Sequence, residues 1–171
     1  MEQFTNHALD LNELPQYEAV KFQTLQPAYW KVVVINLIIT YVVLGIGLGV
    51  LNYFIEETHD FIFYIWGAFV LIFGLSFLFS RIGFKKKGFA FREHDVLYQY
   101  GVIATDTIII PYNRVQHVSL HEGWLSRYFG LAKIEVFTAG GSSSDIKIPG
   151  IDKEQAEKIK QLLMGKIQQK S

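Results

Sequence analysis

The chain has 171 residues, 16 acidic and 16 basic side chains, and no cysteine. The absence of cysteine excludes disulfides, thiolate metal sites and cysteine-based catalysis. Half of the residues are apolar, and the length allows one or two domains.

Residues 1–31 are predicted to form a polar N-terminal leader in the cytoplasm. Pro15 and Pro27 interrupt any long helix in this segment, and Tyr29 and Trp30 fit an aromatic belt at a membrane surface. A cleaved signal peptide would have a short basic start and a short apolar core. This leader is about thirty residues long and carries four acids against two bases. The apolar run after it is too long for a signal core, so we expect that run to be retained.

Two uninterrupted apolar runs, residues 32–55 and 61–80, predict a transmembrane helical hairpin over residues 32–80. Neither run contains a charged side chain. At about 1.5 Å per residue the helices would reach roughly 36 and 30 Å, against a hydrocarbon core of about 30 Å. A soluble domain of the remaining size could not cover two helices that are apolar on every side. Residues 56–60 between the runs are enough for a tight turn only.

Charge is distributed unevenly about the hairpin. The loop at residues 56–60 has three acids and no base, whereas residues 81–171 have 14 basic and nine acidic side chains. Because positive residues near membrane ends stay in the cytoplasm, we predict a multi-pass cell-membrane protein with both termini cytoplasmic. The basic residues after the second run would fix this orientation and attract anionic headgroups. They are Arg81, Lys85, Lys86 and Lys87.

Glycines inside the hairpin predict close contacts between helices. Gly45 and Gly49 form a small-x-x-x-small pair, and Gly67 and Gly74 line one face of the second helix. These residues would join either the two spans of one chain or two subunits, and the sequence leaves both alternatives open. No ionisable side chain lies in either run, so an ion path through the hairpin has no visible carrier.

Residues 81–171 are predicted to form one small cytoplasmic domain of antiparallel strands followed by a helix. Short segments with β-type alternation are separated by turn residues, which favours a sandwich or small barrel over βαβ units. Residues 140–145 read as a flexible turn. The predicted strands are residues 88–92, 96–102, 107–112, 114–120, 133–138 and 146–149.

The end of the chain switches to helical periodicity. Asp152 is placed to cap a helix, and Gln155 three residues later completes a capping-box-like pattern. An apolar stripe follows at helical spacing, and we expect this helix to pack across an open end of the barrel. The stripe consists of Ala156, Ile159, Leu163 and Ile167.

The chain resembles the bacterial pleckstrin-homology-like (PH-like) membrane proteins of the YdbS type. The motifs that carry the resemblance are Pro-Tyr-Asn-Arg-Val-Gln-His-Val at 111–118, Trp124, Arg127, Phe-Gly-Leu-Ala at 129–132, Thr-Ala-Gly-Gly at 138–141 and Pro-Gly-Ile at 149–151. The resemblance covers residues 25–168. It implies an α+β membrane protein in which a two-helix hairpin precedes a bent antiparallel PH-like barrel capped by one helix.

The resemblance also bears on lipid recognition. PH domains that bind inositol lipids carry several basic residues in their first hairpin. The loop matched to it here, residues 92–95, contains two acids, which disfavours inositol-lipid recognition.

The sequence does not predict catalysis or metal binding. His117 and His121 lie four residues apart on a predicted strand, roughly 13 Å from each other, which is too far to share a metal ion. No Gly-x-Ser-x-Gly motif supports a hydrolase. We therefore expect a non-enzymatic protein without cofactor, metal, nucleic-acid partner or small-molecule substrate.

Arg114 and Arg127 are the candidate contacts for a partner or a lipid headgroup, since arginine suits phosphate and carboxylate. The alternative for both is a structural role, in which the guanidinium bonds turn carbonyls or a nearby acid. Together these features predict a membrane-anchored interaction module that docks a protein partner or another copy at the bilayer. The alternative function is a lipid-sensing or envelope-protection component, resisting membrane-active peptides in a complex with a larger related membrane protein, as the resemblance implies.

Overall fold

The computed structural model describes residues 20–139 and 145–168. The predicted leader up to residue 19 and the predicted turn at 140–144 lie outside these ranges. Two 3-10 turns, Glu56–Phe61 and Tyr112–Arg114, connect other elements. The helices and strands are β1 (Gln23–Thr24), α1 (Pro27–Phe54), α2 (Ile62–Lys86), β2 (Gly88–Phe91), β3 (Asp95–Tyr100), β4 (Asp106–Pro111), β5 (Val115–His121), α3 (Trp124–Tyr128), β6 (Leu131–Thr138), β7 (Ile146–Asp152) and α4 (Lys153–Gln168).

Within the described residues, α1 and α2 are the two helices that are long and apolar enough to cross a membrane. Hardly any residue in their most apolar segments is buried by the rest of the chain, unlike the core helices of a soluble protein. The helices contact each other through Tyr41, whose hydroxyl lies 2.6 Å from Ser76 Oγ and whose ring meets Phe73 edge-on at 4.9 Å.

Both helices extend beyond the apolar runs from which they were predicted. α1 begins at Pro27, because proline suits the first helical turn, where its missing N–H has no partner to lose. α2 continues through Arg81 to Lys86, since arginine and lysine are good helix formers. The end of an apolar run therefore marks a change of environment and not the end of the helix.

The first sheet has the antiparallel order β1-β2-β3-β4. Gln23 pairs with Phe89 and Thr24 with Gly88, so a segment that we assigned to the leader supplies a strand of this sheet. Both long helices are consequently inserted between two neighbouring strands. The predicted strands at 88–92, 96–102 and 107–112 correspond to β2, β3 and β4.

The second sheet has the order β5-β6-β7 and is followed by α4. Asp152 accepts hydrogen bonds from the backbone of Glu154 at 3.0 Å and Gln155 at 3.4 Å, which confirms it as the helix cap. The Gln155 side chain bonds Gln23 of β1 instead of the cap backbone, so the capping box is incomplete. α4 packs against all three strands of this sheet.

One hydrophobic core joins both sheets and α4. Its buried residues come alternately from the inward faces of the strands, as expected for strands with one face on a core. The predicted apolar stripe of α4 is confirmed, because Ala156 and Leu163 are fully buried and Ile159 and Ile167 pack beside them. The core residues with the lowest exposure include Phe89, Val96, Ile134, Val136, Ile148 and Ile151.

The predicted antiparallel strands and the helix that caps them are present, but in the described part of the chain the two sheets remain separate and do not close into a barrel. Closure needs hydrogen-bonded pairing at both pairs of sheet edges. On one side, β4 leads into the turn Tyr112–Arg114 before β5 enters the other sheet. On the other side, β1 has two residues, and the one backbone hydrogen bond described between this segment and β7 runs from the Gln26 N–H to the Gly150 oxygen at 2.9 Å. Pro27 follows and has no N–H to continue a ladder.

Candidate functional site at the helix–domain junction

The start of α1 is seated on the second sheet. Gly150 has a φ of +65°, and a Cβ at this position would lie 2.4 Å from Tyr29 Cγ. Leu25 is buried in the common core, and the Tyr29 ring also lies 6.4 Å from that of Phe84 at the end of α2. The two helices therefore meet the domain through packed contacts, not through a flexible linker.

Arg81 holds the ends of the two helices together. Its guanidinium carbon lies 4.8 Å from the centre of the Trp30 ring and 5.8 Å from that of Phe84. The two rings are themselves 5.5 Å apart. A guanidinium over an aromatic face is attracted by the ring quadrupole. Arg81, which the sequence predicts as a surface charge, therefore also stabilises the contact between the two helix ends.

The three lysines after Arg81 have different surroundings. Lys85 is exposed. Lys86 donates a hydrogen bond of 2.7 Å to the Val102 carbonyl in the β3–β4 loop. Lys87 is half-buried, and this burial lowers the pKa of its ammonium group. Only Lys85 therefore matches the simple solvated charge that the sequence predicted.

A cavity of about 380 Å³ opens beside Lys87, between the two helices and the β3–β4 loop. Its lining is mostly apolar with a few polar side chains, including one lysine, as in a site for an amphipathic molecule. Its lining includes Tyr29, Val33, Phe79, Ser80, Lys87 and Val102.

A second cavity of about 480 Å³ is lined by residues of both sheets, from β3 and β4 of the first and β6 and β7 of the second. Lys87 lines this cavity too, together with Tyr98 and Tyr100, whose rings are stacked 5.5 Å apart. Burial raises the pKa of Tyr98 to about 12, because a phenolate would be poorly solvated at this position. The two cavities share Lys87, and the second one is also lined by Asp145 and Lys147.

The two candidate arginines lie in different places, and both are exposed. Arg127 is on α3, whose Leu125 packs with Val32 of α1 in a small separate apolar cluster. Arg114 ends the turn after β4, one strand length from the β3–β4 loop, or about 17 Å at 3.4 Å per residue. The cation over the Phe129 ring is Lys31, whose ammonium nitrogen lies 6.0 Å from the ring centre.

The hairpin glycines divide into two pairs. A Cβ at Gly45 would lie 3.5 Å from Phe69, and one at Gly49 would lie 4.0 Å from a tryptophan of α2. A Cβ at Gly67 or Gly74 would meet no atom within 4 Å. The first pair thus faces the partner helix of the same chain, and the second pair faces open space.

The loop that was compared with the first hairpin of a PH domain is not the first connection of this sheet. It joins β2 to β3, while the connection from β1 to β2 contains α1 and α2. Its Arg92 is bonded to Asp95 through Nε at 2.6 Å and through Nη2. The acidic character of this loop therefore does not bear on the position where inositol lipids bind other PH domains.

His117 lies on β5 as predicted, with its ring stacked on Phe137 at 4.2 Å. Within the residues that the structure describes, no three histidine, cysteine, aspartate or glutamate side chains form a group that could hold a metal ion.

In the part of the chain that the structure describes, seven strands in two antiparallel sheets, followed by a packed C-terminal helix, define a PH-like domain, here with two long apolar helices inserted after β1. The sequence profile of the family described as Bacterial PH domain matches residues 20–167, and the chain belongs to this family. This confirms the resemblance found in the sequence.

One relative is UPF0699 transmembrane protein YdbS of Bacillus subtilis (strain 168), which is 29% identical over 84 residues. The match covers 49% of this chain and 51% of the relative, so it spans about half the length of each. No solved structure matches the chain.

Proposed function

We propose that this protein is a membrane-anchored PH-like interaction module without enzymatic activity. Its two helices cross the cell membrane as a hairpin, and its domain docks a protein partner or another copy at the cytoplasmic surface. The insertion of both helices between β1 and β2 carries the proposal. A domain joined to two adjacent spans and packed against their ends stays at the bilayer, which suits holding a partner there.

The family and the relative support binding rather than catalysis, because one is a PH domain family and the other is named a transmembrane protein. The exposed apolar surfaces of α1 and α2 need a bilayer or a partner to cover them. The open glycine face at Gly67 and Gly74 would accommodate another helix closely.

A second candidate function, lipid sensing or envelope protection beside a larger related membrane protein, is favoured by the cavity at Lys87. An apolar cleft that ends at a half-buried cation suits an anionic amphiphile. If this second function is right, a bound lipid should co-purify with the chain, with or without the larger protein. If the first function is right, a stoichiometric protein partner should co-purify.

Purification of the full chain from membranes in a mild detergent, after crosslinking in cells, tests these proposals. We expect a stoichiometric second protein or a crosslinked dimer. If a dimer forms through the open glycine face, Gly74→Leu should abolish the crosslink. Gly47→Leu, which lies on α1 and not on that face, should leave the crosslink intact. A Cβ at either position has open space, so neither substitution should disturb the packing within one chain. Recovery of a lipid-loaded monomer alone would contradict protein docking and support lipid sensing.

The orientation predicts opposite labelling of two engineered cysteines, and the chain has none of its own. Asp60→Cys, in the exposed turn between the helices, should react in intact cells with a membrane-impermeant thiol reagent. His94→Cys, in the exposed β2–β3 hairpin, should react only after the cells are opened. Labelling of His94→Cys alone in intact cells would overturn the proposed orientation.

A further inference from the structure

Two exposed apolar surfaces lie near the place where the helices enter the domain, one beside α1 and the other beside α2. One is on α3, which packs against the start of α1. The other is the tip of the β3–β4 loop, which packs against the end of α2. Neither surface belongs to the core, and neither is explained by the fold.

The two faces of α3 differ in what they contact. Leu125 and Phe129 pack with Val32 and Ile35 of α1, at the very start of the first apolar run. Trp124 and Tyr128, four residues apart and so on one side of the helix, are 73% and 82% exposed. The inward face thus fixes α3 at the level where α1 becomes wholly apolar, and the other side presents two aromatic rings outward.

The β3–β4 loop is held at a similar level on α2. A Cβ at Gly83 would lie 3.2 Å from Val102, and Lys86 bonds the Val102 carbonyl. The next residue, Ile103, is 90% exposed. Because the loop is fixed to α2 at Val102, the exposed Ile103 side chain reaches into the medium that surrounds this end of α2.

We propose that Ile103 on one side, and Trp124 and Tyr128 on the other, insert into the interface of the same bilayer that the hairpin crosses. The occupant of this surface is the headgroup and upper acyl region of anionic phospholipid. Tryptophan and tyrosine favour that region because they combine an apolar ring with a polar edge. The inference rests on the proposed function in one respect, namely that the hairpin spans the membrane.

Charge complementarity supports a lipid surface as the occupant. Arg127 lies on α3 between the two exposed aromatic residues in sequence, and the exposed Lys85 lies two residues, about half a turn, after Gly83 on α2. Lys31 follows Trp30 at the same level of α1. Basic side chains beside interfacial aromatics are attracted to anionic headgroups. In this arrangement Arg127 contacts lipid and Arg114 does not.

Site-specific fluorescence quenching in liposomes tests the inference. The full chain, with single cysteines at Ile103, Trp124, Tyr128, His94 or Leu71, is labelled with an environment-sensitive dye and reconstituted in phosphatidylcholine–phosphatidylglycerol vesicles. His94 has a 92% exposed side chain on the β2–β3 hairpin and serves as the solvent control. Leu71, exposed near the middle of α2, is the control for spanning. Quenchers are attached at shallow or deep positions of the lipid chains.

We expect the shallow quencher to act on dyes at Ile103, Trp124 and Tyr128 at least about twofold more strongly than at His94, as for interfacial side chains. The deep quencher should act most strongly at Leu71. If the dye at Leu71 is quenched but the dyes at the other three sites are quenched no more than the dye at His94, the inference is overturned while the spanning hairpin stands. Absence of quenching at Leu71 would overturn the spanning hairpin itself.

Discussion

Replacing Gly150 by alanine is expected to lower the free energy of unfolding of the domain by about 2–5 kcal/mol, because backbone strain adds to steric overlap. The residue has a φ of +65°, and the new Cβ would lie 2.4 Å from Tyr29 Cγ. Gly150 lies where β7 places two residues opposite one of β6, between Ala132 and Ile134, a bulge that glycine allows. The loss would be measured by urea titration of the full chain in detergent.

Gly165→Ala is the matched control, because its Cβ would meet no atom within 4 Å and alanine favours a helix. It should leave the urea midpoint unchanged or raise it slightly. A double-mutant cycle with Tyr29→Gly separates the two contributions, since it removes both Cγ and Cβ of Tyr29, which would lie 2.4 and 2.7 Å from the new methyl group. If Gly150→Ala had the same effect with and without Tyr29, the seating of α1 on β7 would not be the cause.

The core of the fold could be predicted because its signals are local. Each strand predicted from residue 88 onward is present, since alternation over four to eight residues reports which face meets a core. The capping aspartate and the stripe through Ala156 and Leu163 likewise depend on neighbours within one or two helical turns. These patterns survive without knowledge of the rest of the chain.

The elements that were missed are short and depend on distant partners. β1 has two residues and pairs across the whole length of both helices, so no periodicity marks it. α3 has five residues, less than the span needed to recognise a helical pattern. Closure of the barrel could not be decided from the strands alone, because it depends on the pairing of edges that are remote in sequence.

The candidate site was predicted as a set of residues but not as an arrangement. The sequence predicts that Arg81 and Lys85–Lys87 act together as surface charge, because the apolar run ends before them. Since α2 continues to Lys86, successive side chains point in directions about 100° apart. Arg81 therefore stacks on Trp30, and Lys86 bonds a loop carbonyl. Lys87 follows the end of the helix in extended conformation and lines a cavity.

Shortening Leu163 to alanine is expected to lower the free energy of unfolding by about 2–5 kcal/mol, the range for buried leucines. Leu163 is 1% exposed and lies in the core that α4 shares with both sheets. The substitution removes its contacts and leaves a cavity, which the surrounding strands cannot collapse to fill. Urea titration of the full chain in detergent, followed by circular dichroism, would measure the change.

Leu162→Ala provides a control with the same chemical change one residue away. Leu162 is 46% exposed on the outer side of α4, so its truncation should shift the free energy of unfolding by less than about 1 kcal/mol. Both variants remove the same atoms and have the same helix propensity, so their difference isolates burial against the sheets. Equal urea midpoints for the two variants would mean that α4 does not pack on the sheets through Leu163. A large difference would show that the C-terminal helix completes the domain that α1 and α2 hold at the junction.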